Sequence, residues 1–319
     1  MMAASIPSLA LGDTGLGERN APPSAEPATD FAPVADRHGR AVLATPGAIL
    51  VPGMSRPIEV KIASTRSEYE QAFQLLAARY QARGYEEPSA KLFRFTPYHV
   101  LPDTVTFVAK DGDEVVTTFS LVPDTTLLGL PMECIYGREV ESLRREGRRI
   151  AEVTSLADRG LKTREFIRVF TALIALMKQY HVRQGGDTWV ITVNPRHRSY
   201  YRKVLGYVPL GPRRTYPTVR DNPAEAFLLD VEMMMENAPA MFRTIFGEPL
   251  PDCALTAPTR PADHARYFGE QSTQTDRRMI AEITSVVEHF GSPPRWKEEA
   301  SCRDEAPTRP GGRLAGYGF

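Results

Sequence analysis

Between residues 58 and 232 the apolar positions change period several times, and each change predicts an element. Glu59-Val60-Lys61-Ile62-Ala63 alternates polar and apolar, as a half-buried strand does. Tyr69, Phe73, Leu76 and Tyr80 then recur at helical spacing, with Thr65 or Ser67 as the cap and Gly84 as the terminator. Thr104–Lys110 and Glu114–Val122 read as a hairpin about Asp111-Gly112. The run Gly129-Leu130-Pro131-Met132 breaks the pattern, and Arg138–Glu146 predicts a short helix. A strand over Arg148–Ala157 leads into a helix with Phe166, Phe170, Leu173, Ile174 and Met177 on one face. Beyond Gly185-Gly186, Thr188–Val193 is a β-rich, largely buried strand, and Pro195 opens a short helix where a missing N–H is harmless. Tyr207–Leu210 and Ala226–Val231 supply the last strands. The expectation is an α+β domain: a mixed sheet of about seven strands with about four helices.

The flanks read differently. Residues 1–56, which contain PPSAEPATDFAPVADRHG, and residues 293–319 have no sustained apolar period. Such segments bury too little apolar surface to offset chain entropy, so both are expected to be disordered. Between the domain, taken as 57–232, and the tail lies a helical extension, 233–292. Its candidates are a helix over 233–246 and an amphipathic one marked by Met279, Ile283, Val286, Val287 and Phe290. Docking on the main domain, contact between copies and binding of a carrier protein are all open for this extension.

Composition removes several classes of function. Lys plus Arg and Asp plus Glu number 39 each, and no nucleic-acid motif is present, which argues against a nucleic-acid partner. The three cysteines, Cys134, Cys253 and Cys302, form no CxxC pair, which argues against a metal site or a disulfide framework. No stretch approaches the roughly 18 apolar residues of a membrane span, and no secretory signal is evident. A cytoplasmic setting follows as the expectation. The positive charge is uneven, running from Arg144 through Arg149, Arg159 through Arg168 and Arg196 through Arg214. It is read either as solvated helix faces or as a basic rim that attracts an acidic partner.

Five pieces in order carry a family resemblance: ARYQARGY at Ala78–Tyr85, TFVAKDGDEVVTTFSLVPD at Thr106–Asp124, GLPME at Gly129–Glu133, GRRIAEVTSLA at Gly147–Ala157 and VNPRHRSYYRKVLGY at Val193–Tyr207. Together they resemble the N-acyl amino acid synthases of the FeeM type, GNAT-fold enzymes related to the acyl-homoserine lactone synthases. The resemblance implies transfer of a long-chain acyl group from acyl carrier protein to the α-amine of an amino acid. It also implies no tightly bound cofactor, the acyl-phosphopantetheine of the carrier, or acyl-CoA, being the donor substrate. The related lactone synthases lend a site pattern that lands on Arg79 and Tyr85 and on Glu152 and Ser155. One departure from the GNAT pattern matters. The loop that cradles the coenzyme A pyrophosphate is glycine-rich in common GNAT enzymes, but here ADRGLKTREF has the single Gly160. A lone phosphodiester needs less, and Arg159, Lys162 and Arg164 are candidates to hold it and to meet an acidic carrier.

Each candidate has an ordinary alternative. Glu152 is the proposed general base for the acceptor amine, or else the partner of Arg148 or Arg149. Ser155 binds the amine or a water, or is a plain strand hydroxyl. In many GNAT enzymes a Tyr four residues before the Gly of a Gly-aromatic step protonates the departing thiolate. Tyr201 lies five before Gly206, about 100° off around a helix, so packing is its alternative. Arg79 and Arg83 suit capture of the acceptor carboxylate, Tyr85 lies beside them, and His197 contacts substrate or phosphate or simply caps its helix. Phe107, Phe119, Leu121, Phe170 and Val193 line an acyl pocket or fill an ordinary core. His99 and His181 read as structural, Trp189 as core and Trp296 as a tail residue. Two rival functions stand: a GNAT-fold enzyme using acyl-CoA on another amine, signal molecules included, or a non-catalytic module that binds an acyl carrier or lipid.

Overall fold

The computed structural model describes residues 47–234, 249–273 and 277–301. Nine strands build one sheet: β1 (Ile49–Leu50), β2 (Ile58–Ile62), β3 (Val105–Asp111), β4 (Glu114–Pro123), β5 (Ile150–Asp158), β6 (Thr188–Val193), β7 (Val208–Pro209), β8 (Arg214–Tyr216) and β9 (Asn222–Asp230). The order is β1-β2-β3-β4-β5-β6-β9-β7, with β8 also paired to β9. Every pair is antiparallel except the central β5–β6, so the sheet is mixed as expected. Seven helices are described: α1 (Arg66–Ala82), α2 (Glu133–Arg145), α3 (Thr163–Arg183), α4 (Arg198–Lys203), α5 (His264–Gln271), α6 (Arg277–Phe290) and α7 (Arg295–Ser301).

Local chemistry explains the element ends. Thr65, rather than Ser67, caps α1: its hydroxyl accepts from the Glu68 amide while the Glu68 carboxylate accepts from Thr65 N–H at 3.1 Å. Helix α2 begins five residues before the expected Arg138, because the GLPM turn feeds directly into it and Tyr136 kinks it without ending it. Gly186 must be glycine, since a Cβ there would lie 1.9 Å from the His181 ring.

The sheet separates two faces. On one, α3 lies across β2, β3 and β4 over the largest core cluster, which includes Phe107, Phe119, Val153, Leu156, Phe170, Trp189 and Tyr201. On the other, α1 and α2 cover two smaller clusters, one around Leu76, Tyr80, Ala157 and Tyr216, the other around Met132, Tyr136, Ile150 and Val190. The all-buried pattern of β5 and β6 follows from being covered on both faces.

The flank boundaries shift. A segment structureless to residue 56 is too long, because Ile49–Leu50 pair with β2 and Ala48, Ile49 and Val51 are buried. The candidate helix over 233–246 lies almost wholly outside the described residues, and so do 1–46 and 302–319. The extension docks on the main domain. Phe268 of α5 sits among Tyr69, Phe73, Phe93 and Phe95, and Ile280 and Ile283 of α6 join the same cluster. Arg260 donates to the carbonyls of His99 at 2.6 Å and Leu101 at 3.0 Å, fixing the strand of chain that leads into α5. The expected disorder from 293 is likewise corrected, for α7 is tied down: Arg295 bonds Asp124 at 3.1 Å, and the Trp296 indole donates to Gln184 O at 3.2 Å. Trp296 is therefore a docking residue and not a loose tail. Among the described residues no helix is long and apolar enough to cross a membrane.

Three imidazoles are buried in this frame. Burial holds His99 and His264 down to about 3 and His181 to about 4, so all three are neutral in the fold. A depressed folded-state pKa means that the stabilisation is complete above the unfolded value, near 6.5, and is lost as pH falls below it. Each imidazole removes up to about 1.4 kcal/mol per pH unit in that window. Urea unfolding followed by circular dichroism should therefore show a clear fall in midpoint from pH 7.5 to pH 5. An unchanged midpoint would mean that these rings are not held neutral.

Candidate active site

The site starts from a defect in β5. Thr118 pairs with Ala157 but Ser120 pairs with Thr154, so β5 holds one residue more than β4 across this stretch. The extra residue is accommodated at Ser155, which has φ +59° although it is not glycine. The bulge breaks the alternation of the strand. Val153 and Leu156, three apart, both face the α3 core, while Glu152 and Ala157 face α1 and α2. The parallel pairing of β5 with β6 covers only Ile150 to Glu152 on the β5 side, and beyond Glu152 the two strands part.

Glu152 sits at that fork with no exposed surface. Its Oε2 accepts from the Met132 amide at 2.7 Å, and its Oε1 has no hydrogen-bond partner. Neither suggested arginine reaches it: Arg148 bonds Asp230 at 2.7 Å and Arg149 bonds Asp187 at 3.0 Å. The salt-bridge alternative is thereby removed. Burial pushes the carboxyl up to about 7, against the pull of the Met132 amide, and no Lys or Arg of the described residues pairs with it. A carboxylate that titrates near neutrality with one free lone-pair set is equipped to accept a proton. Around it are Tyr216, whose hydroxyl donates to Pro131 O at 3.1 Å, one residue from the Glu152 anchor, and the half-exposed Tyr98. Burial pushes the hydroxyls of both tyrosines up, and the Glu152 charge adds to that, which marks their proximity to the carboxylate. Cys134, exposed, lies at the same place, beside a surface cavity of about 470 Å³ also lined by Glu133 and Arg138. A larger cavity, about 710 Å³ between α5 and α6, shares no residue with this neighbourhood.

A second group of residues gathers where β5 ends. Arg79 of α1 donates through Nε to the carbonyl of Asp158. Arg83 is held below its ordinary value by burial and then by Arg196. Arg196 donates to the Tyr85 hydroxyl at 3.3 Å and to His197 Nε2 at 3.0 Å. Burial, Arg196 and Arg83 bring His197 down to about 4, so it is a neutral ring acting as an acceptor. Thus Arg79, Arg83 and Tyr85, together with the sequence-distant His197, form one basic cluster beside Asp158 and Gly160. Arg196 joins them, marked in the sequence only as part of a basic run.

Other candidates fall elsewhere. Tyr201 is fully buried in the α3-side core, edge-on to Tyr200 and Tyr207, on the opposite face from Glu152. Phe107, Phe119, Phe170 and Val193 fill that same core, with the Phe119 ring in contact with those of Phe107 and Phe170. Arg159 pairs with Glu114 at 2.6 Å, away from the helix start, whereas Lys162 and Arg164 are exposed at the first turn of α3. The rest of the basic run is largely engaged: Arg144 with Asp124 and Glu133, Arg198 with Glu225, and Arg214 with Glu139. Tyr98, Tyr216 and Cys134 carry no local signal of a site role, since only the fold brings them to Glu152.

A mixed sheet whose two central parallel strands part is a GNAT-like fold. The chain belongs to the FeeM family of N-acyl amino acid synthases, which it matches over residues 71–230, half of its length, and it is an N-acyltransferase. Among solved structures it is similar to FeeM, an N-acyl amino acid synthase from uncultured soil microbes, at 28% identity and a TM-score of 0.50. That match covers 59% of this chain and 97% of FeeM. The lactone synthases LasI (13% identity, TM-score 0.43, covering 61% of this chain and 96% of LasI) and BjaI (16%, 0.44, 71% and 99%) lie further off. Among proteins of curated function none matches the chain.

The electrostatics of Glu152 give a paired expectation for Glu152→Gln. Turnover should fall by roughly 10²–10⁴-fold, the usual contribution of a general base. The raised pKa means that the Glu152 contribution to stability is complete below about 4.5 and lost as pH rises through 7. The neutral amide avoids that cost, so the variant should unfold at no lower temperature than the parent at pH 8. In the parent, kcat/KM should rise with pH through about 7, and this limb should vanish in the variant. A variant that keeps full turnover would remove Glu152 as the base.

Proposed function

We propose that this N-acyltransferase moves a long-chain acyl group from the phosphopantetheine thioester of acyl carrier protein to the α-amine of an amino acid. The observation that carries the reading is Glu152: wholly buried, set where β5 and β6 separate, and, among the described residues, without a Lys or Arg partner and with one oxygen not hydrogen-bonded. In the reaction Glu152 takes a proton from the acceptor's ammonium group, and the freed nitrogen attacks the thioester carbonyl. The C–N bond forms, the tetrahedral intermediate collapses as a second nitrogen proton passes to the departing sulfur, and the C–S bond breaks to release the phosphopantetheine thiol. Backbone N–H groups of the separated strands are suited to hold the developing oxyanion. The strained bulge at Ser155 keeps those strands apart. Ser155 lies at the fork as a candidate for the amine or a water. Tyr201, packed across the sheet, is a poor candidate to protonate the thiolate.

The donor assignment has its own support. Gly160 is the single glycine of the loop before α3, so a pyrophosphate lacks a glycine-rich cradle. One phosphodiester is better matched by the cluster of Arg79, Arg83, Arg196 and neutral His197, with Lys162 and Arg164 exposed nearby to meet an acidic carrier. Arg159 is engaged by Glu114 and falls out of that set. The acyl chain would enter between β5 and β6 toward Phe107, Phe119, Phe170 and Val193.

Purified protein given palmitoyl-carrier protein or palmitoyl-CoA, each with a pool of amino acids, should yield an N-palmitoyl amino acid by mass spectrometry from the carrier thioester in preference. Turnover with the carrier should fall steeply between low and high salt, because exposed charges are screened beyond about 10 Å at 0.1 M. Equal use of palmitoyl-CoA would overturn the carrier assignment. An intact thioester with folded protein would favour a carrier-binding module without catalysis.

A further inference from the structure

On the α1 face of the sheet, linked to Glu152 through Tyr80, lies a buried arginine that the reaction above leaves without a task. Arg94 is 5% exposed, its guanidinium sits 4.0 Å from the centre of the Tyr80 ring, and it is ion-paired with Glu86. We propose that Arg94 receives the carboxylate of the acceptor amino acid, and that Glu86 holds that position until the acceptor displaces it. This rests on the amino-acid reading above and adds the residue that selects an acid over a simple amine.

The placement comes from contacts. Tyr80 and Tyr216 share one cluster on the α1 face of the sheet, and Tyr216 bonds Pro131, the neighbour of the Met132 that anchors Glu152. Arg94 covers the other end of that cluster through its stacking on Tyr80. The negative charge of Glu152 and the positive charge of Arg94 both act on Tyr80. An α-amino acid carries the complementary pair, an ammonium group for the carboxylate and a carboxylate for the guanidinium, with tyrosine walls between. The planar guanidinium suits bidentate capture of a carboxylate more than a point charge would.

Glu86 has the marks of a stand-in. It lies in the irregular stretch between α1 and the helical turn at Pro97–Val100, outside any helix or strand. Its Oε2 is buried without a hydrogen-bond partner, which is unfavourable, so the pairing with Arg94 is incomplete on the glutamate side. A carboxylate on a segment of this kind exchanges for a ligand carboxylate more readily than one fixed in a helix or strand. The exposed Cys134 and the half-exposed Tyr98 mark the side from which an acceptor would come.

The test compares two acceptor pools with the full-length protein: the protein amino acids and the amines formed by decarboxylating them. The parent should acylate the amino acids and discriminate against the amines. Arg94→Gln should lower kcat/KM for the amino acids roughly thirty-fold or more while leaving the amines unchanged, so that discrimination collapses. Arg94→Lys should restore part of it. An equal loss on both pools would make Arg94 structural and overturn the inference. Should Arg94→Gln fail to fold, Glu86→Gln decides: it should lower KM for the amino acids several-fold with kcat held, and an unchanged or higher KM would overturn the inference. A parent that acylates amines and not amino acids would instead sink the amino-acid reading itself.

Discussion

The removal of the Glu152 carboxylate from water is the constraint around which the rest of this domain is arranged. A lone buried carboxylate is costly when charged, and no Lys or Arg of the described residues pairs with it. The fold tolerates it because the Met132 amide, supplied by the turn before α2, satisfies one oxygen. The position requires β5 to be covered on both faces, which is what α3 on one side and α1 and α2 on the other provide. It also requires the pairing with β6 to stop at Glu152, and the bulge at Ser155 serves that end by turning the remainder of β5. Site and fold thus share one cause: a strand with one residue too many beside a strand running parallel to it.

The charged residues divide along the same line. Those at the base of β5, Arg148 and Arg149, are neutralised by Asp230 and Asp187 and hold the ends of three neighbouring strands together. Those beyond the fork, Arg79, Arg83 and Arg196, gather with one aspartate between them. The two groups differ in where the fold places them, although both look alike along the chain. The C-terminal helices contribute by closing the α1 face with aromatic rings, and Arg260 and Arg295 stitch them to the domain.

Strand and helix periodicity, the Asp111-Gly112 turn and the Thr65 cap made most of the domain legible in the chain itself, because these signals act over a few residues. Glu152 stood out for a related reason, as a carboxylate in a strand of small and apolar residues. What stayed hidden depended on distance. The short edge strand Ile49–Leu50 gains its order from β2, and α7 gains its order from Asp124 and Gln184. Asp124 and Gln184 are far from α7 in sequence, and a two-residue strand is too short to show a period. The gathering of Arg79, Arg83, Tyr85 and His197 was readable as separate candidates, while Arg196, which links two of them, was not. Tyr201, a candidate for protonating the thiolate whose five-residue spacing before Gly206 already pointed to packing, is turned into the core by α4.

By itself the sequence determined the α+β class, the order of the elements and the identity of the central carboxylate, since local periodicity and polarity carry that information. Only the tertiary structure decided that neither Arg148 nor Arg149 reaches Glu152, that Ser155 bends the strand and that Arg94 pairs with Glu86 over the Tyr80 ring. Those facts depend on which distant side chains exclude water from one another, and burial is a property of the packed whole that a chain cannot express one residue at a time.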